Sequence, residues 1–189
     1  MESVMRKIIP FVIIVAMMLA LSVSERNQPQ DKLFISGISV EPFDGDLYSF
    51  CISTIEVGEE EGSLKYVYLY TEASSIEDAL KNVDKTDGRK AVMTMCKYLV
   101  LSDGLTITQF REILDAFLND IDISPKLAVF RSTGNVSQYL SDNQLDTRDI
   151  LQISQDIQTL PDVINTGKLY NLFVIERDRL VCIQDFATI

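Results

Sequence analysis

Histidine and tryptophan are absent from the 189 residues. Without histidine the chain lacks the commonest general base, every Ser-His-Asp or Cys-His arrangement, and most zinc sites. Cysteine is sparse: Cys51, Cys96 and Cys182 lie far apart, in no CxxC pattern, each inside an apolar run. Free thiols acting as small buried hydrophobes account for such placement better than one disulfide plus one free thiol. A reactive nucleophile is the weakest reading, because no basic partner accompanies any of the three. The 8 glycines form no phosphate-cradling loop. Lys and Arg never run longer than two, and the formal net charge is −11, so the chain repels phosphate backbones and anionic head groups. Nucleic acid is excluded as a partner.

What is present begins with an apolar terminus. Arg6 and Lys7 precede Ile8–Val23, an apolar run interrupted only by Pro10 and Ser22. Basic residues, an apolar core and then small residues describe an export signal. As an unbroken helix the run would reach roughly 24 Å, short of the roughly 30 Å of a bilayer core. Cleavage fits after Ser22, with Ala20 at position −3, or after Ser24, with Ser22 at −3. The expected organisation is therefore a signal peptide or N-terminal membrane anchor over 1–24, a polar linker over 25–32, and a folded domain over 33–189. Hydrophobic residues at 47% against 24% charged give that domain enough apolar surface for a core.

The periodicities predict an α+β fold in the order ββ(β)αβαβααββ: a mixed, mainly antiparallel sheet with helices on one or both faces. "LFISGISVE" reads as a strand in which Gly37 marks close packing or a bulge. Asp44-Gly45 signals a hairpin into "DLYSFCISTIEV", and "GEEEGS" a turn into "LKYVYLYTE". On that third strand Tyr66, Tyr68 and Tyr70 share a face, read as packing beneath a helix ahead of a ligand platform. Ser74 with Glu77 suggests a capping box before an apolar stripe of Ile76, Ala79, Leu80 and Val83. "KAVMTMCKYLVLS" reads as one long strand, and Thr106 caps a helix striped by Ile107, Phe110, Ile113, Leu114, Phe117 and Leu118. Pro125 closes the connection to the strand "KLAVFRS". The helices "NVSQYLSD" and "TRDILQISQDIQTL" follow, then a closing hairpin around "RDR".

Candidate chemistry is thin. Asp120 and Asp122, and Asp142, Asp146 and Asp149, alternate in a way that suggests calcium, but neither group has the glycine and terminal Glu of an EF-hand loop. They read as helix caps and solvated ends. Asn135–Ser137 matches a glycosylation acceptor. No nucleophile, base and oxyanion donor assemble, so a hydrolase is the least supported class. The residues alone indicate a non-enzymatic exported binding or interaction module with no cofactor.

The stretch "RKAVMTMCKYLVLSDGLTITQFREILDAFLNDIDISPKLAVFRS" resembles the N-terminal domain of the Ger(x)C family, the C subunits of bacterial spore germinant receptors. The likeness rests on Arg89-Lys90, Leu99-Val100, Leu114–Asp120 and Leu127–Arg131, in that order. It extends to "FISGISVE", "TLPDV" and "LYNLFVIERDRLVCIQDFAT" at the flanks. Three departures stand out: Met95 where the family has His, Asn119 where it has Arg, and Val23 or Ser24 where it has the lipid-bearing Cys. The chain, ending at Ile189, would be a short form without the later domains. The resemblance implies a mixed α/β domain and a non-enzymatic accessory role at the spore inner membrane. Its implied partners are membrane-embedded A and B type receptor subunits, and any small-molecule ligand is unknown. The competing expectation is an exported solute-binding or protein-interaction domain unrelated to germination.

Overall fold

Strands β1 (Lys32–Pro42) and β2 (Tyr48–Val57) close a hairpin around Asp44-Gly45 as the sequence signals. Gly45 takes φ +62, the left-handed region that glycine enters without steric cost, and the Phe43 N–H donates to Leu47 O at 3.0 Å. The computed structural model describes residues 31–58, 63–119, 123–124, 126–154 and 156–189. Within these, β3 (Leu64–Ala73) precedes helix α1 (Ile76–Asp87). Strands β4 (Lys90–Val92) and β5 (Tyr98–Ser102) lead to α2 (Ile107–Asn119) and then β6 (Ala128–Ser132). Three short helices follow, α3 (Val136–Asp142), α4 (Thr147–Ile153) and α5 (Leu160–Thr166), before β7 (Lys168–Glu176) and β8 (Arg179–Thr188).

The strands form one 8-stranded mixed sheet in the order β3-β2-β1-β5-β6-β7-β8, with β4 added beside β1. Its longest ladders, β1–β2, β2–β3 and β7–β8, are antiparallel. The parallel pairs β1–β5, β5–β6 and β6–β7 are shorter and occupy the middle. This is the expected α+β class with a mainly antiparallel sheet.

Each face carries its own apolar layer, because alternate strand residues point to opposite sides. On one face Ile35, Ile38, Phe50, Ile52, Leu99 and Leu101 meet α1, α2 and α5 through Val83, Phe110, Phe117 and Val163. On the other, Tyr98, Val100, Phe130 and Phe173 meet α3 and α4 through Val136, Leu140 and Ile150. Residues Leu33–Ile189 form one compact unit.

Four local expectations are corrected. The apolar run "KAVMTMCKYLVLS" is not one strand. It breaks at a turn in which the Cys96 N–H donates to Met93 O at 2.9 Å, and buried Met93 and Cys96 fill the core from that turn. The first helix is capped one residue late: Ser75, not Ser74, accepts from the Asp78 N–H at 3.2 Å. The stripe of α2 is narrower than its sequence suggests, since Ile107 and Leu118 are exposed. The helix expected over "TRDILQISQDIQTL" stops at Ile153, so Ile157 is not helical, and a third helix forms over "LPDVINT". Thr106 does cap α2, sharing a reciprocal box with Gln109. Glu59–Gly62 and Pro125 lie outside the described residues.

The disulfide alternative is not realised: Cys51, Cys96 and Cys182 are all free. Burial pushes the Cys51 and Cys96 thiols up to about 12, and both are closed to solvent, whereas Cys182 is half-buried. Only Cys182 is therefore expected to react with a maleimide under native conditions. Intact mass before and after denaturation measures this, and prompt labelling of all three would contradict it.

Candidate interaction site

The tyrosine face of β3 is a set of ties to the helices laid over it. The Tyr68 hydroxyl donates to Leu145 O at 2.6 Å, just beyond α3. The Tyr70 hydroxyl lies 2.8 Å from Ser141 Oγ and 3.2 Å from Ser137 O. Burial pushes the Tyr68 hydroxyl up to about 12, so it stays protonated and donating. Packing beneath a helix is thus the role of Tyr68, as its spacing suggests, while Tyr70 is 54% exposed and tied to α3 by its hydroxyl alone, and Tyr66 is half-buried.

Beside them an open groove of about 390 Å³ is lined by Glu41, Ser49, Tyr70, Asn135, Gln138 and Asp142. Most of its polar groups are committed to one another. Ser137 Oγ donates to Glu41 Oε1 at 2.6 Å, joining the C-terminal end of β1 to α3. Asn135 caps α3 by accepting from the Gln138 N–H at 3.1 Å, so the glycosylation-like triplet is a helix start. Glu41 and Asp142 add two carboxylates to this open, polar surface.

The aspartates behave as caps. Asp146 Oδ1 accepts from the N–H groups of Arg148 and Asp149, and Asp149 returns the bond to the Asp146 N–H. Asp142 ends α3, while Asp120 and Asp122 lie outside the described residues. Among the described residues no group of three or more His, Cys, Asp or Glu is placed to hold a metal ion. Arg6, Lys7, Ser22 and Ser24 also lie outside the described residues. No helix among the described residues is long and apolar enough to cross a membrane.

Two arginines carry roles that the sequence did not announce. Arg89 bridges Glu56 on β2 and Asp87 at the end of α1, both at 2.5 Å. Arg131 interrupts the apolar run of β6 and reaches Asp185 on β8 at 3.3 Å, with its Nε buried and unpartnered. The charged residue inside "LAVFRS" was the available signal. The hydrogen bond from Arg89 holds the Asp87 carboxyl below its usual range, despite some opposing desolvation. A carboxylate depressed in the folded state adds stability that is complete above its unfolded pKa of about 3.9 and lost as pH falls through the folded value. Arg89→Ala should therefore abolish part of the stability difference between pH 6 and pH 3. Equal acid sensitivity of variant and parent in urea titrations would contradict this.

The two described departures from the family pattern sit at the surface: Met95 is exposed, and Asn119, also exposed, donates to Asp115 O one turn earlier, while Val23 and Ser24 lie outside the described residues. A family model described as the spore germination protein N-terminal domain matches residues 25–177, well over half of the chain. Searches of curated proteins and of solved structures gave no match. The matched span runs through β7 and includes Arg89-Lys90, α2 and β6, the segments on which the sequence resemblance rests. The chain therefore belongs to the Ger(x)C family of spore germination proteins, whose N-terminal domain it carries.

Proposed function

We propose that this protein is a non-enzymatic accessory subunit of a spore germinant receptor, exported and held at the spore inner membrane beside membrane-embedded A and B type subunits. The observation that carries the reading is the family match over residues 25–177, lying directly behind a basic-flanked apolar run. Residues 1–24 serve as export signal or anchor, 25–32 as linker, and 33–189 as the working domain. Val23 and Ser24 stand at the family's lipid-attachment position, so membrane retention rests on the uncleaved apolar segment and on the partner subunits. The commitment of the convergent polar groups to caps and strand-to-helix ties supports a scaffold role over catalysis.

The test is fractionation of dormant spores followed by immunoblotting. The inner-membrane fraction should contain the chain, and its intact mass should separate the full-length form from cleavage after Ser22 or Ser24. Finding it only in the vegetative cytosol would overturn the proposal. The groove beside Glu41 and Tyr70 favours one second reading, a solute-binding domain unrelated to germination. Thermal stabilisation by a nutrient or peptide, in protein that does not co-purify with receptor subunits, would select it.

A further inference from the structure

The aspartate-glycine dipeptide occurs three times, at Asp44-Gly45, Asp87-Gly88 and Asp103-Gly104, and asparagine never precedes glycine. This dipeptide carries its own electrophile and nucleophile, the aspartate γ-carboxyl carbon and the glycine amide nitrogen one residue on. Attack forms a five-membered succinimide, and glycine permits it best because no Cβ crowds the approach. The reaction asks three things of a fold: a glycine N–H free of other partners, an uncommitted carboxyl, and open space around both. The three copies share one sequence signal and sit in three different environments.

At Asp87-Gly88 both groups are taken. Arg89 holds the Asp87 carboxylate through Nε and Nη2, and the Gly88 N–H donates to Asp84 O at 2.9 Å, closing α1. At Asp103-Gly104 the nucleophile is taken, since the Gly104 N–H donates to Ser102 Oγ at 3.2 Å. A Cβ there would lie 3.1 Å from Pro42 Cγ, so the space beside Gly104 is occupied too. Asp44-Gly45 has none of these restraints. It lies in the turn of the β1–β2 hairpin, both residues are exposed, and nothing stands within 4 Å of a Cβ position at Gly45. Among the described residues no hydrogen bond or ion pair engages the Gly45 N–H or the Asp44 carboxylate.

We propose that Asp44 is a site of spontaneous isomerisation to isoaspartate, and that the fold silences the other two copies. The Gly45 nitrogen bonds to Asp44 Cγ, and the carboxyl hydroxyl leaves with the amide proton as water. Water then adds to either carbonyl of the succinimide, regenerating aspartate or leaving the chain running through the former side-chain carboxyl. Mass is unchanged, and no co-reactant beyond water is needed. The consequence is local. The former Asp44 O becomes part of a free carboxylate, and a methylene enters the backbone of the turn that the Leu47 N–H closes onto Asp44 O at 3.2 Å. The β1–β2 ladder from Pro42 and Tyr48 inward does not include these atoms, so modification loosens the hairpin tip alone.

The full chain, purified in non-ionic detergent, is incubated for weeks at neutral pH and physiological temperature. Isoaspartate at each position is measured by resistance to an aspartate-specific protease and by electron-transfer fragmentation. In the folded protein Asp44 should isomerise about tenfold faster than Asp87 and Asp103, each of which must first give up a hydrogen bond. In urea the three rates should converge, because the dipeptide is the same. Asp44→Glu enlarges the ring that attack would close and should remove the signal at that position. Ser102→Ala frees the Gly104 N–H and should raise isomerisation at Asp103 while leaving Asp44 unchanged, with circular dichroism confirming that the variant is folded. Equal rates at the three positions in the folded protein, a ranking that persists in urea, or an Asp103 rate indifferent to Ser102→Ala would each overturn the proposal.

Discussion

Gly37→Ala is expected to destabilise the domain by about 3–5 kcal/mol, at or beyond the top of the overpacking range. A Cβ built at Gly37 would lie 2.0 Å from Tyr98 Cζ and 2.1 Å from Cε1. No side-chain rotation relieves this, because the Tyr98 ring is fully buried in the layer beneath α3 and α4. Gly37 and Tyr98 are direct partners in the parallel β1–β5 ladder, so moving the backbone would break pairing at the sheet centre. The bulge beside them resists adjustment too: Ser36 Oγ lies 2.8 Å from Ser53 Oγ, and Ser36 O accepts from the Lys97 N–H at 2.8 Å. Urea unfolding measures the loss, and a change below about 1 kcal/mol would refute the account. The mechanism has its own check. In a Tyr98→Leu background the ring atoms are gone, so adding Gly37→Ala should cost much less than it does alone.

Gly37 also shows what a sequence discloses and what it withholds. A glycine inside an alternating apolar strand signals a bulge or a close approach, and here it is both. Its neighbour in space cannot be read from one strand, because the β1–β5 pairing spans an intervening hairpin and helix. Hairpins and amphipathic helices were legible for the same reason, their signals being local: Asp44-Gly45, the Thr106 cap, the stripe of α2. The break between β4 and β5 was not. "VMTMC" is apolar throughout, and periodicity cannot distinguish a buried strand from a buried turn. The third short helix did leave a trace. Thr159 with Asp162 three residues on, Pro161 at the start and Gly167 at φ +62 after the end are a complete set of boundary signals. The preceding Ile150, Ile153 and Ile157 spacing masked it by suggesting one continuous helix. For the interaction surface the limit is topological. That Ser137 meets Glu41, or that β8 forms an edge, depends on strand order, which no local pattern encodes.

The second large effect is expected at the seam between β6 and β7. Their ladder pairs only Arg131 with Leu172 and Ser132 with Phe173, the shortest described ladder within the sheet. The β7–β8 hairpin is therefore held to the rest of the sheet by few backbone bonds, the Thr133 N–H to Phe173 O at 3.0 Å among them, and by side chains. Phe130 and Phe173 stack across the seam with ring centroids 4.4 Å apart and planes inclined by 22°, both fully buried. Asn171 and Gln158 add polar ties: Asn171 Nδ2 donates to Asp156 O, and Gln158 Nε2 to Lys168 O at 3.2 Å. Removing the Phe173 ring deletes the stack and leaves a cavity against Leu180, Val136 and Leu140 in the same layer. Phe173→Ala should cost about 3–5 kcal/mol, while Phe173→Leu, which refills most of the volume, should cost far less. The loss should also be uneven. With so few backbone pairs at the seam, the hairpin can open before the β1–β2–β3 ladders do, so amide exchange should accelerate first over Lys168–Thr188. Uniform acceleration across the sheet would show that the backbone pairs, not the ring stack, hold this joint.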